Sequence, residues 1–261
     1  MDISTLRIVA FAAACATAFP AQALQSCRAA SGPQALPLVE LYTSEGCDSC
    51  PPADRWLAKQ FPAAATDARA LALAFHVDYW DRLGWADRFA SPAYTERQYA
   101  SMRANAATFV YTPQVLLQGH DLRGWADADA AVQRAARATA RASITLDAAP
   151  SGNAVAVTVD AAITDAAARG DVQLLVAYAD SGLQSDVGAG ENRGKRLSHD
   201  HVVRALKSAE GADANGCIHA TFRFERPREA GVAPTLVAFV QRRSTGDILQ
   251  AVGVPLGGCG G

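Results

Sequence analysis

Through the first half of the chain, short apolar runs alternate with segments whose apolar positions recur at helical spacing. Residues 37–43 (PLVELYT) are apolar with a β-branched and aromatic bias, which predicts a strand. Ser44-Glu45-Gly46 breaks the run, and Pro51-Pro52 follows shortly after. The first turn of a helix tolerates proline, because its N–H groups have no partner there anyway. A helix is therefore expected to start around Asp48 to Cys50, with Ala53, Trp56, Leu57 and Phe61 along its apolar face. Residues 70–77 (ALALAFHV) form a continuous apolar run, the length of a strand buried on both faces of a parallel sheet. Trp85 to about Asn105 reads as mostly helical, broken near Ser91-Pro92. Val110-Tyr111-Thr112-Pro113 leads into a further strand over Gln114 to Gln118, and Ala126 to Ala142 reads as an Ala/Arg-rich helix. This alternation predicts an α/β layer structure with a largely parallel sheet.

The pattern changes near residue 142. All four tryptophans lie before that point. Beyond it come short β-rich runs at 143–146, 155–159, 172–178, 219–224, 235–241 and 248–254, separated by turn signals such as Ser151-Gly152-Asn153, Asn215-Gly216 and Thr245-Gly246-Asp247. Such a series suggests an all-β sandwich or barrel. One insert, Glu191 to Ala209, reads as helix or loop and carries Asn192, Arg193, Lys195, Arg196 and His199-Asp200-His201.

The N-terminus is read as an address. Arg7, an apolar stretch from Ile8 to Phe19 and the A-x-A end at Ala21-Gln22-Ala23 fit a cleavable signal peptide over residues 1–23. Domains are then expected at 24–142 and 143–261, in a protein that is periplasmic or secreted, with no membrane span after cleavage. Composition adds little to that picture and removes several alternatives. Of the 261 residues, 24 are Lys or Arg and 26 are Asp or Glu, so no basic excess suggests a nucleic-acid partner. No phosphate-binding loop, H-E-x-x-H helix or G-x-S-x-G elbow occurs. No nicotinamide or flavin fingerprint occurs either, so no cofactor is assigned.

Export changes the meaning of the cysteines, because disulfides persist in an oxidising compartment. Cleavage would remove Cys15 and leave Cys27, Cys47, Cys50, Cys217 and Cys259. Cys47 and Cys50 form a C-x-x-C pair. The other three can make one bridge in three ways, leaving one thiol over. The expected helix places Cys47 at its N-terminus, where roughly half a positive charge and unpaired N–H groups favour a thiolate. Cys47 is then the nucleophile and Cys50 the resolving thiol. Glu45 and Asp48 act against this, since nearby carboxylates raise a thiol pKa. The plainer reading is a structural disulfide.

A C-x-x-C pair between a strand and a helix, with a proline just before a later strand, resembles the thioredoxin-like fold over residues 36–142. The segments LYTSEGCDSCPPADRWL, FHVDYWDRLGW, YTPQVLLQG and GENRGKRLSHDHVVRAL resemble more closely a bacterial family of secreted thioredoxin-like proteins, domain-of-unknown-function family 1223. The fold this implies is an α/β thioredoxin-like domain followed by a mainly β, sandwich-like C-terminal domain. It further implies a cis peptide before Pro113, with Thr112 and Pro113 lining a peptide groove beside the cysteines. With Asp48 and Ser49 between the cysteines, these are the expected substrate-binding positions. The chain departs from thioredoxins in having Gly46 where they carry Trp and Asp48 where they carry Gly or Pro.

Other residues carry two readings each. His76 is a core histidine, or a third ligand for copper or zinc beside the thiolates. His199 and His201 are read as a solvated polar loop. Asp78, Tyr79, Trp80 and Trp85 form a wall beside the site, or ordinary aromatic core. The expected function is thiol–disulfide exchange with exported polypeptides, its electrons passing to or from another dithiol protein. The alternative is a non-catalytic or metal-handling binding module.

Overall fold

The computed structural model describes residues 27–63 and 69–257. The expected signal peptide, Cys15 and Cys259 lie outside the described residues. In chain order the strands are β1 (Cys27–Ala30), β2 (Leu38–Thr43), β3 (Leu71–His76), β4 (Gln114–Leu117), β5 (His120–Asp121), β6 (Ala142–Ser151) and β7 (Ala154–Ile163), followed by β8 (Val172–Asp180), β9 (Leu183–Asp186), β10 (Arg196–His199), β11 (Val202–Glu210), β12 (Cys217–Glu225), β13 (Thr235–Arg242) and β14 (Ile248–Pro255). The α-helices among the described residues are α1 (Pro51–Gln60), α2 (Pro92–Ala104) and α3 (Asp129–Ala136).

These strands make an eight-stranded sheet in the order β14-β13-β8-β11-β3-β2-β4-β5, a four-stranded sheet β1-β6-β7-β12, and the pair β9–β10. This overturns the expected thioredoxin-like α/β domain followed by a separate β sandwich. The protein is mainly β, and its largest sheet runs unbroken from first-half strands into second-half strands. The join is β11, which pairs antiparallel with β8 on one side and meets β3 in parallel on the other, Val202 opposite Ala74. Nor is the sheet largely parallel: apart from β2–β3 and β3–β11, its neighbours are antiparallel. A parallel neighbour needs a crossover, and α1, between β2 and β3, supplies one.

Helix content falls short of the sequence reading for local reasons. Between Trp85 and Ser91 the backbone is held by a side chain rather than by helical bonds. Asp87 Oδ1 accepts from Phe89 N at 2.9 Å, and Asp87 Oδ2 accepts from Glu45 N at 2.9 Å. Helix α2 starts only at its Ser91 cap, whose Oγ accepts from Ala93 N, with Pro92 in the first turn. Helix α3 stops at Ala136, and past it the chain pairs with residues 33–35 and 249: Ala35 N donates to Ala138 O, Ala140 N to Pro33 O, and Arg141 N to Leu249 O. Of the insert expected as helix or loop, residues 191–195 form a turn and most of the rest is β10 and β11.

The central strands bury both faces by alternation. Leu38 and Tyr42 of β2 and Leu73 and Phe75 of β3 face one core, where Tyr42 stacks on Phe75 with centroids 5.5 Å apart. Val39, Leu41, Ala72 and Ala74 face the other, against Ala53 and Leu57 of α1 and Val132 of α3. A Leu57 removed from water contributes about 1.5–3 kcal/mol toward holding α1 in place. A third core lies between the four-stranded sheet and the second-half strands of the large sheet, filled by Ile144, Leu146, Val157, Tyr178, Phe224 and Leu236 among others.

Candidate functional site

Strand β2 ends at Thr43, and the chain turns through Ser44–Cys50 into α1. Gly46 N donates to Ser44 Oγ (3.1 Å) and Cys47 N to Ser44 O (3.2 Å). Cys50 caps the helix: its carbonyl accepts from Ala53 N (2.9 Å) and Asp54 N (3.1 Å). Pro51 and Pro52 occupy the first turn, where they leave no N–H unsatisfied. A Cβ on Gly46 would come within 3.1 Å of Trp80 Cβ, so the glycine lets Trp80 pack on the turn.

Cys47 and Cys50 are joined by a disulfide across Cα atoms 5.5 Å apart, and both residues are 0% exposed. Asp48 and Ser49 between them are exposed, and Ser49 Oγ lies 3.3 Å from Cys47 Sγ. Thr112 and Pro113 are joined by a cis peptide bond. Trp80 ties them to the motif: its Cβ packs at Gly46 while its Nε1 donates to Thr112 Oγ1 at 2.8 Å. Cys27 is disulfide-bonded and Cys217 is a free, exposed thiol.

Beside the disulfide turn lies a buried cluster of charge that the sequence reading largely missed. His76, at the end of β3, places Nδ1 2.6 Å from Asp87 Oδ2, with both side chains sealed from solvent. Burial opposes charge on His76, yet the Asp87 carboxylate, by charge and hydrogen bond, together with the Asp54 and Glu45 carboxylates raises the imidazole pKa. Burial likewise disfavours the Asp87 anion. The His76 charge and hydrogen bond, with the Glu45 and Phe89 N–H groups, nonetheless hold its pKa below the usual carboxylate range. Glu45 follows the same logic: burial opposes its charge, while His199, Ser185 and Trp85 hold its pKa down. Trp85 Nε1 donates to Glu45 Oε2 at 2.7 Å. His199 Nε2 lies 3.2 Å from Glu45 Oε1, close in distance but outside hydrogen-bond geometry. The His76 and His199 rings meet edge to face, centroids 5.2 Å apart. Asp54, one helical turn beyond Cys50, has its pKa raised by burial.

His199 is thus not part of a solvated loop; it is 3% exposed. The signal lay in the period of two along R-L-S-H, which turns Leu197 and His199 inward together. His201, expected in the same loop, has a left-handed backbone (φ 59°) and its Nε2 against Phe61 O. His76 is engaged by Asp87. Among the described residues, no group of three His, Cys, Asp or Glu is placed to hold a metal ion. Trp80 and Trp85 do stand beside the motif. Tyr79 faces α2, its hydroxyl donating to Gln98 Oε1 at 3.3 Å.

No helix among the described residues is long and apolar enough to cross a membrane. Two solved structures resemble this one. Protein AGR_C_4864 from Agrobacterium tumefaciens is 28% identical, with TM-score 0.57, over 85% of this chain and 95% of that one. HBP35 of Porphyromonas gingivalis is 14% identical, with TM-score 0.63, over 87% of this chain and 77% of that one, a likeness of fold alone. No curated protein matches the sequence. The model of a family described as "Protein of unknown function (DUF1223)" matches residues 38–241, a span that takes in the disulfide turn, the His76–Asp87 pair and His199, and the chain belongs to that family.

Proposed function

We propose that the protein carries out thiol–disulfide exchange on polypeptide thiols at Cys47–Cys50. The observation that carries this reading is a disulfide closed over two residues at the N-terminus of a ten-residue helix, beside a buried cluster of titratable groups. A thiolate there is favoured by the helix dipole alone, since Pro51 and Pro52 have no N–H and Ala53 N and Asp54 N donate to Cys50 O. Perturbed titratable groups gather where protons must be handled, and four of them surround this turn: Glu45, Asp54, His76 and Asp87.

In the oxidising direction, a substrate thiolate attacks Cys47 Sγ. The Cys47–Cys50 bond breaks, a substrate–Cys47 disulfide forms, and Cys50 leaves with the electron pair and takes up a proton. A second substrate thiolate then attacks its own sulfur in that mixed disulfide, and Cys47 departs as the thiolate. The substrate is oxidised by two electrons and the pair reduced by two. A further dithiol–disulfide protein resets it. The same steps reversed reduce a substrate disulfide. Asp48 and Ser49, exposed between the cysteines, and Thr112 and Pro113, linked to the motif through Trp80, are the positions we assign to a bound polypeptide. We place this chemistry outside the cytoplasm, where the Cys27 and Cys47–Cys50 disulfides would persist.

One observation favours a second reading. Both sulfurs are fully buried, as in an inert structural bridge supporting a binding module. The reduction potential separates the two. A value between roughly -270 and -120 mV, with exchange activity abolished by Cys47→Ser, supports exchange. A value below about -300 mV, with binding surviving Cys47→Ser, overturns it in favour of the module.

A further inference from the structure

The segment Val187–Lys195 joins β9 to β10 in the second half of the chain, yet it closes on the Cys47 turn. It is a self-bonded turn: Val187 N donates to Lys195 O (2.9 Å), Gly194 N to Val187 O (2.7 Å) and Lys195 N to Asn192 O (3.0 Å). Its glycines allow close approach. A Cβ on Gly188 would lie 3.1 Å from the Trp85 ring, and one on Gly190 would lie 3.9 Å from Gly46 Cα.

The buried side chain of Asn192 makes the contact. Its Nδ2 donates to Glu45 O at 2.9 Å and to Cys47 O at 2.8 Å, so one amide spans the two carbonyls flanking Gly46. Its Oδ1 accepts from Lys195 Nζ at 2.8 Å, which polarises the amide and strengthens both donations. Next to it, Glu191 Oε2 accepts from Asp48 N at 3.1 Å. The backbone on both sides of Cys47 is therefore held by one turn, and the sulfur between has no exposed surface. A thiol cannot reach a sulfur with no exposed surface until part of its cover moves, and this turn is tied to the backbone on both sides of it.

We propose that Asn192 is a positioning residue for exchange at Cys47: its amide latches the 187–195 turn onto the Glu45 and Cys47 carbonyls, and release of that latch admits the attacking thiol. The inference rests on the exchange reading for its chemistry, but its test does not. The test is the rate at which dithiothreitol reduces the Cys47–Cys50 disulfide in the full-length protein, trapped by alkylation and read by mass spectrometry. Asn192→Asp is nearly isosteric, yet its carboxylate cannot donate to the two carbonyls. With two hydrogen bonds lost, Asn192→Asp and Asn192→Ala are expected to be reduced about ten-fold faster or more than the wild type. Lys195→Met alters an exposed side chain and keeps the Asn192 amide, and should accelerate reduction only about two- to five-fold.

A reduction rate that stays nearly independent of urea below the midpoint at which the fold melts marks a local release, whereas a rate that climbs with urea as global unfolding does marks a merely structural role and overturns the proposal. If either Asn192 variant fails to fold, Lys195→Met reads the same latch from the surface. Equal rates for the wild type and the folded variants overturn the proposal. Failure of the wild type both to oxidise polypeptide thiols and to reduce a polypeptide disulfide, while the variants still accelerate attack by dithiothreitol, overturns the exchange reading alone.

Discussion

Replacing Asp87 by Asn tests whether the buried cluster is held together by charge. In the native protein one carboxylate accepts from His76 Nδ1 (2.6 Å), Glu45 N (2.9 Å) and Phe89 N (2.9 Å). The amide keeps the size and one acceptor oxygen, so at most part of this survives. The other backbone N–H loses its acceptor at about 1–3 kcal/mol, and His76 loses the anion that stabilises its charge. Breaking a buried pair by removing one partner costs about 3–5 kcal/mol, and these terms overlap, so a loss of about 3–5 kcal/mol is expected in all. The assay is urea unfolding with the disulfides intact, read as a fall in midpoint at constant slope. The pH dependence identifies the cause. The lowered pKa of Asp87 makes its contribution present above its unfolded pKa and lost as pH falls through the folded value. The raised pKa of His76 makes its contribution complete below its unfolded pKa and lost as pH rises through the folded value. The pairing is therefore at full strength between about pH 4 and 6.5, the two unfolded reference values, and the gap between wild type and variant should narrow in alkali. A gap below about 0.5 kcal/mol, the size of an ordinary surface substitution, or a gap unchanged from pH 5 to 9, would refute the argument.

Two more substitutions probe the frame around the site. Gly46→Ala puts a methyl 3.1 Å from Trp80 Cβ; a cost of about 1–3 kcal/mol is expected, with Trp80 fluorescence shifting as the indole is pushed from Thr112. Arg97→Met should cost about 3–5 kcal/mol in urea unfolding, because Arg97 Nε pairs with buried Glu40 Oε2 at 2.8 Å and Nη1 meets Gln241 Oε1 at 3.2 Å. Adding Glu40→Gln should recover much of that loss; a double variant no more stable than Arg97→Met would show that the charge was not the cost.

The local elements were legible wherever the signal was itself local. The run 37–43, the prolines after Cys50, the run 70–77 and the segment before Gln114 gave strand, helix, strand and strand within a residue or two of β2, α1, β3 and β4. What failed was long-range. Nothing in residues 202–210 announces that Val202 will sit beside Ala74, and that pairing joins strands of two expected domains into one sheet. The seven residues from Trp85 were misread because Asp87 spends its carboxylate on backbone N–H groups 2 and 42 positions away, a competition that apolar spacing cannot reveal. His199 was misread because the flanking charges of Lys195 and Arg196 oppose a bound cation and left a polar loop as the plainer reading, while the two-residue period that buries it becomes informative only once the segment is known to be a strand.

The same long-range pairing determines what kind of site this is. The disulfide turn comes from the first half of the chain, but what encloses it does not. Asn192 fixes the carbonyls of Glu45 and Cys47, Glu191 takes the Asp48 N–H, and His199 places a second imidazole against Glu45. All three ride on β9–β10 or the turn between them, just upstream of β11, and β11 is registered on β3, the strand that ends in His76. A shift of β11 along β3 by one residue would point its side chains to the opposite faces and carry the turn with it. The match of the family model across residues 38–241 then has a physical basis: the disulfide turn at Cys47 and the elements that enclose it are a single unit, joined through the β3–β11 pairing.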